Sequence, residues 1–209
     1  MTEDHRHIRR EYVSDGLRRA DLQDDPRAQF TDWLSSAIDA GITDATAMSL
    51  ATAASDGRPS VRIVLLKAHD AEGFVFYSDY GSQKGADLAE NPTAELLFHW
   101  REHNRQVRVA GPVVRTSRRD AQDYFASRPL ASQLSAAASD QSRPIADRVA
   151  LEDKVSKQQA VGTDCPENWG GYRLRPEKFE FWQGRADRLH DRFVYTSIAR
   201  GWLLERLQP

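Results

Sequence analysis

Cysteine is almost absent from this chain, since Cys165 is the only one among its 209 residues. An intramolecular disulfide, a cysteine-based zinc site and an iron–sulfur cluster are therefore excluded, and we expect a reducing cytoplasm. Long apolar runs are also absent, because the longest aliphatic stretch covers only residues 63–66 and cannot span a bilayer. The first twelve residues are largely charged, and we expect no secretory signal there.

A strong excess of one charge is missing as well. The 29 basic and 31 acidic residues give a formal net charge of −2, which argues against a general nucleic-acid-binding protein. Lysine is scarce, with 5 residues against 24 arginines. This bias is typical of a skewed genome composition, and it also suits repeated recognition of phosphate or carboxylate by guanidinium groups. The positions of the cations along the chain must decide between a composition bias and a role in binding.

The signatures of several common enzyme classes are missing. The chain has no GxGxxG after a strand, no Walker-type loop, no HExxH and no GxSxG. Rossmann dinucleotide binding, P-loop nucleotide hydrolysis, zincin proteolysis and α/β-hydrolase chemistry are therefore not supported. His99, His103 and Cys165 lack the spacing of metal ligands, so we expect no metal site.

The N-terminal residues 1–27 differ from the rest of the chain. They carry 13 charged side chains and few large apolar ones, so we interpret them as a mobile arm without a core of its own. A solvated tail and an arm that orders on a ligand are both open at this point. Asp25 and Pro26 suit the start of a helix that ends at Gly41. Residues 28–209 are predicted to form a single domain.

From residue 46 onward the hydrophobic pattern is mostly that of short β-strands. We predict strands over 47–53, 61–67, 74–78, 94–100, 105–115, 171–174, 179–183, 188–195 and 202–207. Helices are predicted over 82–90, 117–126 and 145–160. Short strands with tight turns and peripheral helices indicate a mainly β, α+β chain that forms an antiparallel Greek-key barrel.

The most distinctive local pattern is the run Arg188-Leu189-His190-Asp191-Arg192. On the predicted strand, residues 188, 190 and 192 share one face of the sheet. Three clustered cationic groups repel one another unless an anion compensates them. A solvated outer face balanced by aspartates is an equally good explanation of this segment alone.

Other cations stand where a ligand could meet them. Arg62 and Lys67 bracket a buried-looking strand, although cations at strand ends are commonly just solvated. Lys84 lies in the first turn of a predicted helix, where free N–H groups favour an anion, but Ser82 as a simple N-cap explains the same residues.

Tyr124, Arg128 and Ser132 are a third candidate cluster. Tyr124 and Arg128 share a helix face if the helix extends that far, and with Ser132 they would suit a phosphate monoester. Trp182 could edge a planar cofactor. Gln106 and Gln141 could pair with the edge of a heterocycle, although surface glutamines are common.

Taken together, these segments resemble the pyridoxine/pyridoxamine 5′-phosphate oxidase family. The matching stretches are residues 8–12 (IRREY), 62–67 (RIVLLK), 76–84 (FYSDYGSQK), 105–107 (RQV), 124–133 (YFASRPLASQ), 141–142 (QS), 169–172 (WGGY) and 181–193 (FWQGRADRLHDRF). They cover nearly the whole chain in the order of the family.

The resemblance implies an FMN-binding split β-barrel that forms a homodimer with FMN at the subunit interface. It implies oxidation of pyridoxine or pyridoxamine 5′-phosphate to pyridoxal 5′-phosphate in vitamin B6 metabolism. O2 would be the acceptor and would yield H2O2, with NH3 released from the amine. No nucleic acid or membrane partner is implied.

The resemblance also implies roles for individual residues. Arg188 and His190 would be catalytic: Arg188 would clamp the substrate, and His190 would hydrogen-bond it or accept a proton. FMN would be bound by Arg62, Ile63, Val64, Leu65, Lys67, Tyr77, Ser78, Gln83, Lys84, Gln106, Gln141, Ser142, Trp182 and Arg192. The substrate would be bound by Arg9, Tyr12, Lys67, Tyr124, Arg128, Ser132, Arg188 and His190, with Arg9 and Tyr12 acting as a lid.

One position departs from the family pattern. Gln83 stands where most members place an arginine beside the flavin phosphate, and a neutral amide weakens that charge pairing. Phenazine-pathway flavin oxidases are similar in this stretch, but they do not generally keep the full set of vitamin-phosphate residues. A non-catalytic carrier of flavin or pyridoxal phosphate on the same barrel is a further alternative, as is a split barrel that binds heme or deazaflavin.

Overall fold

The computed structural model describes residues 3–7 and 11–209 and divides into two compact units. The first unit comprises residues 1–46, 97–109 and 177–209, and the second comprises residues 47–96 and 110–176. The helices are α1 (Pro26–Asp39), α2 (Gln83–Glu90), α3 (Arg118–Ser127), α4 (Leu130–Ala138) and α5 (Arg148–Val161). The strands are β1 (Ala47–Ala53), β2 (Pro59–Leu65), β3 (Ala68–Asp70), β4 (Gly73–Asp79), β5 (Thr93–Trp100), β6 (Arg105–Arg115), β7 (Trp169–Leu174), β8 (Lys178–Gln183), β9 (Asp191–Ile198) and β10 (Gly201–Leu207).

The first unit packs helix α1 on a sheet. Its strand order is β10-β9-β8-β6-β5, with antiparallel pairing of β10 with β9 and of β9 with β8. The carboxylate of Asp25 caps α1 by accepting the Arg27 N–H, and Pro26 occupies the first helical position. One face of α1 buries Phe30 edge-on against Phe98, with ring centroids 4.8 Å apart, so aromatic packing fixes the helix on the sheet.

The second unit holds two strand paths. One runs β5-β1-β2 and ends at β2, and the other runs β3-β4-β7-β6. The β4–β7 pairing is antiparallel, with Tyr77 opposite Gly171. The fully buried side chains of Phe76 and Leu96 belong to its core. Helices α2, α3, α4 and α5 complete the unit.

Most predicted elements are present, with ends shifted by at most three residues. Strand β3 and helix α4 were not predicted. One prediction was wrong in a way that matters for the site: no strand covers 188–195, because β9 begins only at Asp191. Residues 186–188 form a 3-10 turn in which Asp187 and Arg188 have left-handed φ values of 55° and 61°. Arg188, His190 and Arg192 therefore do not share the face of one strand.

Part of the predicted N-terminal arm has buried contacts. Leu17 and Leu22 are buried in the first unit, and the Leu17 N–H donates to the carboxylate of Asp191 over 2.9 Å. The domain boundary at residue 27 and the mobility of the arm stay predictions. Within residues 3–7 and 11–209, no helix combines the length and the apolar character needed to cross a membrane.

Candidate functional site

A cavity of about 790 Å³ lies in the second unit. Strands β2 and β4, the first turn of α2 and the α3–α4 connection bring polar side chains to its wall. The lining residues are Arg62, Ile63, Val64, Leu65, Lys67, Tyr77, Ser78, Asp79, Lys84, Tyr124, Arg128, Pro129, Ser132, Ser135, Ala136, Ser139, Gln141 and Trp169. We refer to it as the large cavity.

Strand β2 contributes Arg62 to the large cavity. The guanidinium group donates to Leu50 O at 3.1 Å and to the Thr52 hydroxyl at 2.7 Å. It lies 3.8 Å from the buried carboxylate of Asp87. Burial lowers the pKa of Arg62, and Asp87 partly offsets that effect. Arg62 is thus already partly neutralised inside the protein.

Lys84 is the most deeply buried cation of the large cavity, with 8% of its surface exposed. Ser82 caps α2 and places Lys84 in the first turn, and a Cβ on Gly85 would lie 2.1 Å from Tyr80 O, so glycine is needed for this close approach. Lys84 Nζ donates to Ser78 Oγ at 3.0 Å and to Gln141 Oε1 at 2.6 Å. Burial, reinforced by Arg62, lowers the pKa of Lys84, while Asp79 opposes the shift.

Gln83 and Ser142 are not among the residues that line the large cavity. The Gln83 side chain points along its own helix, where its amide donates to Asp87 Oδ1 at 2.8 Å. The Gln83 backbone N–H donates to Ser142 Oγ at 3.2 Å. Their assignment to the flavin therefore rests on the resemblance and stays a prediction.

The substrate-phosphate candidates meet where α3 ends and α4 begins. Helix α3 stops at Ser127, so Tyr124 and Arg128 do not share a helix face, but both side chains line the large cavity. The Arg128 guanidinium lies 5.0 Å from the centroid of the Trp169 ring. Within the described residues, Arg128 Nη1 is buried and has no hydrogen-bond partner. A buried guanidinium nitrogen without an acceptor is costly unless an anion completes the site.

Aromatic rings form one wall of the large cavity. Tyr77 stacks on Tyr124 with centroids 4.0 Å apart and on Trp169 with centroids 5.5 Å apart. Burial raises the pKa of Tyr77, so its hydroxyl stays neutral. Sequence reasoning missed Trp169 and Asp79 as lining residues, although both lie within quoted family motifs. It also missed α4, whose signal was a run of good helix formers directly after Pro129.

The remaining predicted residues belong to the first unit. Tyr12 packs edge-on against Trp182 at 5.7 Å and against His190 at 5.4 Å between ring centroids. Arg192 Nε donates to Glu180 at 2.8 Å, and Gln106 is half-buried on β6. Arg188 is exposed on its turn. Arg9 lies outside the described residues.

The two units thus divide the predicted residues. The large cavity brings together Arg62, Ile63, Val64, Leu65, Lys67, Tyr77, Ser78, Lys84, Tyr124, Arg128, Ser132 and Gln141. The first unit carries Tyr12, Gln106, Trp182, Arg188, His190 and Arg192.

The charge balance of the large cavity favours anions. Among the described residues, four cations line it, and Asp79 is the one carboxylate in the lining. Asp79 is itself engaged, since its oxygens accept from the Gly81 N–H at 2.6 Å and from Asn168 at 3.1 Å. Cations, hydroxyl groups and an amide around stacked aromatic rings are the donors that a phosphate ester on a planar ring requires. The lining therefore suits a ligand that carries a phosphate ester on a planar aromatic ring. Among the described residues, no cluster of His, Cys, Asp and Glu could hold a metal ion.

Comparison with solved structures defines the fold. PhzG from Burkholderia lata 383, in complex with tetrahydrophenazine-1-carboxylic acid, superposes with a TM-score of 0.87 and 32% identity, covering 93% of this chain and 98% of that chain. A pyridoxamine 5′-phosphate oxidase-related, FMN-binding protein from Nostoc punctiforme superposes with a TM-score of 0.72 at 18% identity, covering 90% of this chain and 100% of that chain. The predicted fold, an antiparallel split barrel with added helices, is confirmed.

Sequence comparison identifies the family. The family model for pyridoxamine 5′-phosphate oxidase matches residues 34–162, and the one for the pyridoxine 5′-phosphate oxidase C-terminal dimerisation region matches residues 169–209. The pyridoxine/pyridoxamine 5′-phosphate oxidase of Deinococcus deserti is 50% identical over 208 residues, which cover 97% of each chain. That of Janthinobacterium sp. is 50% identical over 206 residues, covering 97% of this chain and 98% of the relative. The chain belongs to the pyridoxamine 5′-phosphate oxidase family.

Proposed function

We propose that this protein oxidises pyridoxine 5′-phosphate and pyridoxamine 5′-phosphate to pyridoxal 5′-phosphate in the cytoplasm. The alcohol and O2 yield the aldehyde and H2O2. The amine, O2 and water yield the aldehyde, NH3 and H2O2. The observation that carries this proposal is the large cavity, where the buried Nη1 of Arg128 has no acceptor among the described residues, in a chain that matches the family model over residues 34–162.

FMN is the proposed cofactor, and when bound it supplies the two-electron acceptor that O2 reoxidises. Lys84 and Arg62 would hold its phosphate, helped by the hydroxyl of Ser78 and the amide of Gln141. Lys84 suits this role because it is buried and has no ion-pair partner within 4 Å among the described residues. Gln83, Ser142, Gln106, Trp182 and Arg192 are proposed to complete the flavin site, as the resemblance implies.

The substrate phosphate is proposed to bind Lys67, Tyr124, Arg128 and Ser132. These residues combine two cations with two hydroxyl groups, which matches the oxygens of a phosphate monoester. Arg188, His190, Tyr12 and Arg9 are proposed to cover the substrate ring. Arg188 carries a planar guanidinium group with several donors, so it can orient the ring and its oxygen.

A homodimer is proposed as the working assembly. The match of residues 169–209 to a dimerisation region supports it. The edge strand β2 adds a row of exposed apolar side chains, with Val61 at 69% and Ile63 at 64% exposure, which a second copy would cover. Sedimentation should show a dimer that retains FMN, and a monomer that binds FMN stoichiometrically would contradict the assembly.

A phenazine-type oxidase is the second candidate, favoured by the superposition on PhzG. The curated relatives that are 50% identical over nearly the full chain favour the vitamin B6 reaction instead. A non-catalytic carrier would bind the same ligands without turnover.

One experiment separates these candidates. The purified protein is examined for a flavin absorption spectrum and then assayed aerobically with each vitamin phosphate while H2O2 is recorded. Steady turnover with one H2O2 per pyridoxal 5′-phosphate is expected. A flavin spectrum without turnover on either substrate would favour the carrier or the phenazine-type enzyme.

A further inference from the structure

A smaller cavity of about 280 Å³ lies in the first unit. We call it the Arg105 pocket. Strand β6 contributes Arg105 to its wall, the turn before that strand contributes His103, β8 contributes Gln183, α1 contributes Ser36, and residues 14–16 complete it. The proposed function assigns no role to any of these residues, so it does not explain the pocket.

The guanidinium group of Arg105 is held in place from two directions. Gln183 is 3% exposed, and its amide Nε2 donates to His103 O at 3.0 Å and to Asn104 O at 3.2 Å. Those two contacts orient the amide, so its Oε1 accepts from Arg105 Nε at 2.9 Å. The Arg105 guanidinium carbon also lies 4.3 Å from the centroid of the Trp33 ring. A cation is attracted to an aromatic face, so the group is fixed before any ligand arrives.

The far end of the same guanidinium group has no partner. Among the described residues, Arg105 Nη1 and Nη2 make no hydrogen bond and no ion pair, and both are accessible to solvent. Burial lowers the pKa of Arg105, and no carboxylate of the described chain offsets this effect. Two other arginines of this unit differ, since Arg108 and Arg192 share the buried carboxylate of Glu180. A half-buried guanidinium without an anionic partner costs free energy that an incoming anion recovers.

The other ionisable groups of the pocket do not neutralise Arg105. Burial, followed by Arg105, lowers the pKa of His103, while Glu102 opposes the shift, so the imidazole is neutral at neutral pH. Asp15 is exposed to water and makes no ion pair with Arg105, and water screens such an exposed carboxylate. The partly desolvated charge of Arg105 therefore dominates the field in the pocket.

We propose that the Arg105 pocket binds a small oxyanion, either a phosphate or a carboxylate group, on Arg105 Nη1 and Nη2. With Nε already bound to Gln183, the two terminal nitrogens form a fork of donors that matches two oxygens of one anion. Ser36 lines the pocket, and its hydroxyl can donate to a further oxygen. The cavity is smaller than those that hold drug-sized ligands, so the ligand is a small molecule. Binding here does not depend on the oxidase reaction.

An NMR titration of the full-length protein measures binding at Arg105 itself. The arginines are labelled with nitrogen-15, and the Nε resonance that disappears in Arg105→Lys is assigned to Arg105. Inorganic phosphate and acetate are added in separate titrations, with sodium chloride at equal ionic strength as the reference. We expect a saturable shift of this resonance with a Kd on the order of 1 mM, as two charge-assisted hydrogen bonds imply. Saturation by one anion alone identifies the group that the pocket takes, and no saturation by either anion would contradict the proposal.

A pair of neighbouring serines on α1 provides the matched variants. Ser35 and Ser36 are both exposed near the end of the helix, but only Ser36 lines the pocket. Ser36→Asp places a carboxylate at the pocket, where it repels the anion or occupies Arg105, so we expect the Kd to rise at least about tenfold. Ser35→Asp adds the same charge to the same helix, and we expect a change of less than about twofold. Equal weakening in both variants would show a general charge effect and refute a specific site.

Anions that bind in the large cavity must be distinguished from anions that bind at Arg105. Arg128→Met removes a cation from the large cavity, and we expect the phosphate titration of the Arg105 resonance to be unchanged in this variant. A shift that is lost in Arg128→Met would come from the large cavity and would overturn the Arg105 pocket as a site. A wild-type protein that lacks oxidase turnover but keeps the Arg105 titration would contradict the proposed function and leave the anion site in place.

Discussion

The two units differ in how their cations are paired. In the first unit, arginines converge on buried carboxylates: Glu180 lies 3.2 Å from Arg108 and 2.8 Å from Arg192, and Asp191 pairs with Arg185 and Arg206. In the second unit, Lys67, Lys84 and Arg128 line the large cavity without a carboxylate within 4 Å among the described residues. Arg173, in the same unit but outside the cavity, is paired with Asp70.

This difference separates cations that a carboxylate of the protein already neutralises from cations that an incoming anion could neutralise. A buried cation with a carboxylate partner stabilises the fold mainly through what its loss would leave unpaired. A buried cation without one costs free energy that only an incoming anion recovers. The excess of arginine over lysine therefore has no single explanation. Many arginines form surface or buried pairs, whereas two of the five lysines lie in the large cavity.

Removing a buried carboxylate that pairs with arginines in the first unit should have the largest effect on the free energy of unfolding. In Asp191→Asn, three donors lose a charged acceptor that is 1% exposed, so we expect the free energy of unfolding to fall by about 3 kcal/mol. Urea unfolding at fixed protein concentration measures the change. The control is Asp123→Asn, whose carboxylate is 74% exposed and pairs only across one helical turn, with an expected loss below about 0.5 kcal/mol. Equal losses would contradict the assignment of Asp191 as an anchor.

Removing an unpaired cation from the large cavity should leave the fold intact and weaken substrate binding. Arg128→Met keeps the stem over Trp169 but removes the charge, so KM for pyridoxine 5′-phosphate should rise about 10- to 150-fold, as for one charge-assisted hydrogen bond. The FMN content should not change, and the unfolding free energy of the apoprotein should stay equal or increase. Steady-state kinetics measure KM, flavin absorbance measures the FMN content, and urea unfolding measures the free energy of unfolding. Loss of FMN with a normal KM would move Arg128 to the flavin phosphate.

The pH dependence of FMN binding tests whether the charged amine of Lys84 holds the flavin phosphate. The folded-state pKa of Lys84 is lowered by burial, so Lys84 loses its proton at a lower pH in the folded apoprotein than in the unfolded chain. Stability of the apoprotein should therefore rise with pH between these two pKa values, while affinity for FMN falls there because the phosphate needs the charged amine. Titrations of FMN at increasing pH should show this fall in the wild type only. Lys84→Arg stays charged and should keep a flat profile, and parallel profiles would contradict a role for Lys84.

The sequence predicted most of the strands because their apolar residues alternate clearly, as in β1, where the buried Met48 and Leu50 are separated by Ser49. The sequence also predicted most residues that line the large cavity, because each of them belongs to a short motif of the family that can be recognised by itself. It failed at 188–195, where the alternation of Leu189 and Phe193 imitates a strand. The left-handed residues Asp187 and Arg188 that break the strand are set by tertiary contacts such as those of Asp191. A local pattern contains no sign of such contacts.

The sequence patterns also could not predict which cations have a carboxylate partner in the structure. Arg192 and Lys84 both suit a flavin phosphate when judged by residue type alone. In the structure, Arg192 donates to Glu180, whereas Lys84 donates only to neutral oxygens. Gln83 likewise contacts Asp87, a partner 4 residues further along the helix, so its neutral amide fits beside a carboxylate that Arg62 and Thr52 also approach.

The most direct test of the account is an equilibrium titration of FMN into three apoproteins: wild type, Lys84→Met and Arg173→Met. Both variants remove a cation from the second unit, but Arg173 is paired with Asp70 outside the cavity, whereas Lys84 is unpaired within it. We expect Lys84→Met to raise the Kd for FMN about 10- to 150-fold and Arg173→Met to change it by less than about twofold. A Kd for Lys84→Met equal to that of the wild type, or equal weakening in both variants, would contradict it.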